Sequence, residues 1–194
     1  MSASESSAVE TSSDETRLPM RGRRGGRVLL VLSIVLVVLG LVFSLASAFA
    51  PEVVDRVTGE AKVTIATQLR NLFAPDDLPV IRLGDEGEIR DLDDCDGTFR
   101  EMVSYRLDGV PPLYAAHNFC GGDAILGWDI GQQVRVAGSD TVYEVVEERR
   151  TVKWADAHLL QGMRGEFLLQ TCFYGQNLMR FVGLEPVDSR ALGF

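Results

Sequence analysis

Between Val28 and Ala50 the chain runs 23 residues without a charge (VLLVLSIVLVVLGLVFSLASAFA), and the rest of the molecule must be arranged around that segment. A helix of this length rises about 35 Å, more than the hydrocarbon core of about 30 Å. Arg17, Arg21, Arg23, Arg24 and Arg27 crowd its N-terminal side. That asymmetry predicts a cytoplasmic N-terminus and everything after Ala50 outside the membrane. A cleaved signal peptide competes, because Ala48-Phe49-Ala50 is an A-x-A site followed by Pro51. The apolar run exceeds a usual signal-peptide core and its leader is long, which favours a retained anchor. In either case the remaining chain is exported.

The other boundaries follow from composition. Residues 1–27 combine a Ser/Thr/Glu-rich start with the arginine patch and are expected to be a disordered cytoplasmic tail. Residues 51–78 are expected to form a membrane-proximal stalk or amphipathic helix. Val54, Val57, Ala61, Ile65, Leu69 and Leu72 recur at near-helical spacing, although Gly59 interrupts it and Pro75 ends it; an irregular linker is the plainer alternative. The formal charge of −9 makes nucleic acid a poor partner.

Residues 79–194 are expected to form an all-β domain. Short runs at Pro79–Leu83, Glu88–Leu92, Glu101–Leu107, Leu113–His117, Gln133–Ala137, Val142–Arg149, Phe167–Cys172 and Met179–Leu184 are separated mostly by Gly and Asp turn signals. Eight such strands predict a closed, mostly antiparallel barrel. Short helical turns fit at Asp123–Trp128 and Ala155–Leu160.

Three residues at strand ends carry candidate chemistry. Cys172 closes the apolar strand Leu-Leu-Gln-Thr-Cys, His117 closes Leu-Tyr-Ala-Ala-His, and Arg180 opens the last strand. A cysteine nucleophile needs thiolate character, which a nearby histidinium or guanidinium supplies. Taken singly, each has a plainer reading: a packed core thiol, a hydrogen-bonded histidine, a solvated arginine. His158, in a helical-looking stretch, reads as a surface or half-buried residue.

Taken in order, the set resembles the sortases, the cysteine transpeptidases of the Gram-positive surface. Leu169-Gln170-Thr171-Cys172 is similar to their L-x-T-C strand end, Arg180 to their arginine on the following strand, and His117-Asn118 to their histidine. The likeness covers roughly Pro79 to Val187 and extends to the layout of one N-terminal transmembrane helix and one exported barrel. It implies a sortase-like fold with His117, Cys172 and Arg180 as catalytic residues. It implies cleavage of an extended peptide sorting motif through a thioacyl intermediate and transfer to an amine at the cell surface. The implied partners are a surface-protein peptide, an amine acceptor and, through the helix, the membrane; no nucleotide, flavin or metal is needed. A non-catalytic sortase-fold module that binds or scaffolds at the envelope is the alternative.

Three cysteines in an exported chain leave one odd. If Cys172 is the nucleophile, Cys95 and Cys120 are left to pair; two unpaired loop thiols and a Cys120–Cys172 bond are the other options. Asp91, Asp93, Asp94 and Asp96 before Gly97 look like a calcium loop, but Cys95 and Met102 fall where ligands are needed, so a solvated acidic turn is expected. Zinc on His117, Cys120 and Cys95 lacks a fourth ligand.

Overall fold

The computed structural model describes residues 23–74 and 76–187. The expected disordered tail lies largely outside them, as does the stretch from 188 on. The chain forms two compact units, one up to Leu45 and one from Ala46 on. The first holds most of helix α1 (Arg23–Phe49), whose Arg27–Phe49 stretch is long and apolar enough to cross a membrane. Its Val, Leu and Ile side chains are exposed.

In the second unit Ala50 leaves the helical region (φ −142°, ψ 59°), and α2 (Pro51–Phe73) starts with Pro51 at a position where a missing N–H costs nothing. The stalk segment is thus a helix, and it does not stand off from the domain. Its one buried residue is Gly59, where a Cβ would overlap the Tyr174 ring. Lys62 pairs with Asp123 at 2.5 Å, and the Gly175 N–H donates to Asp55 at 2.6 Å. The apolar stripe read from the sequence is not the docked face: Val57, Ile65, Leu69 and Leu72 remain exposed. A small residue that permits close approach fixes the contact instead of hydrophobic periodicity.

Eight strands follow: β1 (Val80–Ile81), β2 (Leu83–Gly87), β3 (Phe99–Met102), β4 (Leu113–Ala115), β5 (Gln133–Val136), β6 (Val142–Val152), β7 (Phe167–Cys172) and β8 (Leu178–Pro186). They form one sheet in the order β1-β5-β6-β8-β7-β4-β3-β2. Its two edge strands, β1 and β2, are consecutive in the chain with Arg82 alone between them, so one short segment nearly closes the barrel. The sheet is mixed rather than mostly antiparallel, because β1·β5, β2·β3 and β4·β7 are parallel pairs. The expected strand at Glu88–Leu92 is instead a 3₁₀ turn, Ile89–Asp94, started by a reciprocal Glu88/Asp91 capping box. The expected helical turns occur as 3₁₀ segments at Gly122–Gly127 and Ala157–Leu160.

Strands β7 and β8 are buried on both faces. One face carries Phe167, Leu169, Val182 and Leu184 into a cluster with Val134, Val145, Ile125 and Trp128 from around the barrel. The other carries Leu168, Met179 and Phe181 into a second cluster with Leu92, Leu113, Met102 and Leu160. The apolar run Phe167-Leu168-Leu169 that opens β7 follows from this two-sided burial.

Candidate functional site

The parallel pairing of β4 with β7 brings Leu113 abreast of Leu168, Tyr114 of Leu169 and Ala115 of Gln170. Beyond the ladder, the Ala116 N–H donates to the Gln170 carbonyl at 3.1 Å, and the buried Thr171 hydroxyl donates to the Ala116 carbonyl at 2.9 Å. Continued by one more residue, that register sets His117 beside Cys172, with neighbouring strands about 5 Å apart. Side chains alternate along each strand, so His117 and Cys172 fall on the same face, the face of Leu113 and Leu168. Both line one cavity of about 50 Å³. Its floor is apolar, including Leu92, Met102 and Met179, while Lys153, Trp154 and Gln170 also border it.

Cys172 is the one free cysteine; Cys95 and Cys120 are joined in a disulfide. Both loop sulfurs are therefore committed to each other and neither is a thiolate donor for zinc. Burial pushes the Cys172 thiol above its ordinary value; the Lys153 charge and the Gln170 amide pull the other way. The Gln170 Nε2 donates to Cys172 Sγ at 3.9 Å. His117 is partly exposed, stands 3.1 Å through Nε2 from Asp93 Oδ1, and is stacked on Phe119 with ring centroids 5.1 Å apart. The disulfide ties together the two loops that carry this pair: Cys95 is two residues from Asp93, and Cys120 three from His117.

The carboxylates of the acidic turn have protein partners. Asp91 accepts from the Glu88 N–H, Asp93 meets His117, and Asp94 and Asp96 both hold Arg100.

The third residue singled out from the sequence is placed elsewhere. Arg180 stands opposite Thr171, and Met179 opposite Cys172. Directly paired residues point to one face, so Arg180 and Cys172 point to opposite faces. Arg180 is 3% exposed as a residue. It donates to the Ile125, Leu126 and Trp128 carbonyls and to Glu148 at 2.7 Å. Burial lowers its pKa from the ordinary value and Glu148 opposes that shift. The structure therefore brings His117 and Cys172 to one cavity and leaves Arg180 as a tie between β8, β6 and the Gly122–Gly127 segment.

His158 is exposed and turned to Asp156. Sequence reasoning gave no role at this cavity to Tyr105, Gln170 or Lys153. Gln170 had a signal, because it is two residues before Cys172 on the same strand and so shares its face. The others reach the cavity only through pairings and turns.

No family model matches the chain, and no curated protein matches it. Among solved structures, it is similar to a Clostridium perfringens sortase D5 transpeptidase. That match has 12% identity and a TM-score of 0.38, covering 55% of this chain and 70% of that one. A Listeria monocytogenes sortase A matches with 13% identity and a TM-score of 0.35, covering 56% of this chain and 82% of that one.

Proposed function

We propose that the chain is a sortase-like cysteine transpeptidase, tethered by α1 with its N-terminus in the cytoplasm and its barrel outside. The observation that carries this reading is that the one free thiol and His117 border the same apolar cavity, in keeping with the β4·β7 register. The ordered His117…Leu169-Gln170-Thr171-Cys172 set and the helix-plus-barrel layout support it.

The chemistry balances within these two groups. The thiolate of Cys172 attacks a backbone carbonyl of an extended peptide, forming an S–C bond. Histidinium 117 gives its proton to the leaving amine as the C–N bond breaks. An acceptor amine then attacks the thioacyl carbon, the S–C bond breaks, and the proton lost by that amine returns to His117. Water in place of the amine gives hydrolysis.

The test uses the full chain in detergent with a library of extended peptides and an amine acceptor. Expected is a covalent adduct on Cys172 by mass, abolished in Cys172→Ala, with transfer about 10²–10⁴-fold slower in His117→Ala. Peptide binding without any adduct would instead identify a non-catalytic binding module.

A further inference from the structure

A peptide carbonyl attacked by Cys172 develops negative charge, and the thiol itself must first lose a proton in a site where burial opposes it. Both steps call for a cation on the Cys172 face besides histidinium 117, which loses its charge when it protonates the leaving amine. Arg180 is on the other face, with its guanidinium held by three carbonyls and a carboxylate.

The pairing of β6 with β8 shows which residue fills the gap. Val145 is opposite Leu184, but after a register shift Glu147 is opposite Gly183 and Glu148 opposite Val182. The extra residue, Val146, is a β-bulge, and a one-residue slip exchanges the faces of everything that follows. Before the bulge the odd-numbered residues of β6 face the cluster of Leu169 and Val182, as Val145 does. Beyond it the even-numbered ones do, so Glu148 can pair with Arg180. The odd-numbered ones turn to the Cys172 side: Arg149 opposite Phe181, Thr151 opposite Met179. Lys153 is next in that series. Its N–H donates to the Asn177 carbonyl at 3.3 Å, and it borders the Cys172 cavity. No carboxylate among the described residues pairs with it. Trp154, which follows, has a φ of 66°, a left-handed conformation costly for a bulky residue. It too borders the cavity, so the strained turn lies at the site.

We propose that Lys153, delivered by the Val146 bulge, is the cation that serves Cys172, stabilising its thiolate and then the oxyanion of the attacked carbonyl. This rests on the thioacyl reading above for its second role only. Other titratable groups around the thiol are His117, with Asp93 behind it, from the β4 side, and Tyr105 from the Val103–Tyr105 turn, on which Asp156 also acts.

The test reads the thiol directly. Cys172 is the one free cysteine, so the pH dependence of iodoacetamide alkylation of the non-reduced full chain in detergent reports on it alone. Lys153→Met should raise the alkylation midpoint by about 0.5–1 pH unit, a three- to tenfold slower reaction below the midpoint. Lys153→Arg should restore the wild-type midpoint, and Lys153→Glu should raise it further. An unchanged midpoint in Lys153→Met would overturn the proposal. So would a midpoint that moves in Arg180→Lys but not in Lys153→Met. Because no peptide is used, a protein that shows the shift but never transfers a peptide would disprove the transpeptidase reading and leave the role of Lys153 toward the thiol standing.

Discussion

Arg180 shows how far a single residue's role depends on parity. From the sequence it opens a strand eight positions after a candidate nucleophile. In the structure it is buried with four acceptors, and Glu148 is its counter-charge. Removing the guanidinium would leave Glu148 and three carbonyls short of a donor in the interior. We expect Arg180→Met to cost about 3–5 kcal/mol in urea unfolding. Arg180→Lys should recover little, because one ammonium cannot reach acceptors spread across two elements. Glu147 is a smaller case on the same strand. It accepts from the Arg164 backbone N–H, which is the main reason its carboxyl is held below the ordinary value, and the Arg149 guanidinium adds to this. A carboxyl depressed by folding contributes stability above its unfolded pKa and loses it as pH falls through its folded one. Glu147→Gln should therefore lose about 1 kcal/mol at pH 7 and almost nothing at pH 2, read by urea unfolding at each pH.

At the scale of elements, α2 sets two effects of one substitution against each other. Gly59→Ala should stabilise an isolated helix by about 1 kcal/mol. Here the added methyl would overlap the Tyr174 ring, whose hydroxyl lies within hydrogen-bond reach of both the Asn118 carbonyl and Asp123 and donates its one proton between them. Overpacking of that kind costs about 1–3 kcal/mol. The expected outcome is a less stable protein with a more helical isolated α2 peptide, measured by thermal unfolding and by circular dichroism. The same helix marks a limit of the sequence: its existence followed from spacing, but its docked face did not, because a glycine leaves no apolar signal. Strand β7 was legible to its ends, since Gly165 and Gly175 flank a run that opens on Phe-Leu-Leu and closes on Cys172. The Ile89–Asp94 segment was misread: Ile89 and Leu92 are three apart, which suits a 3₁₀ turn and not a strand, and the Glu88/Asp91 box that starts the turn was not read as a cap. That His117 and Cys172 border one cavity could be anticipated from order and strand ends. The Val146 bulge could not, and it alone decides which basic residue meets the thiol.

For the whole molecule, the disulfide joins residues 25 apart in sequence. Chain entropy gives such a bridge about 3 kcal/mol. Cys95→Ser/Cys120→Ser should lower Tm by about 10 °C for a domain of this size, and reductant should then have no further effect on Tm. Two tethers thus hold the β7 end of the barrel: this bridge beside His117, and the clasp of α2 on the β7–β8 turn. The second has a mechanical consequence. Any pull arriving through Pro51 meets Asp55 on Gly175 and Lys62 on Asp123 before it meets β1, the start of the seam that nearly closes the barrel. Tension is shunted into the longest and most deeply buried hairpin of the sheet, β7–β8, and the two-residue strand β1 is left out of the load path.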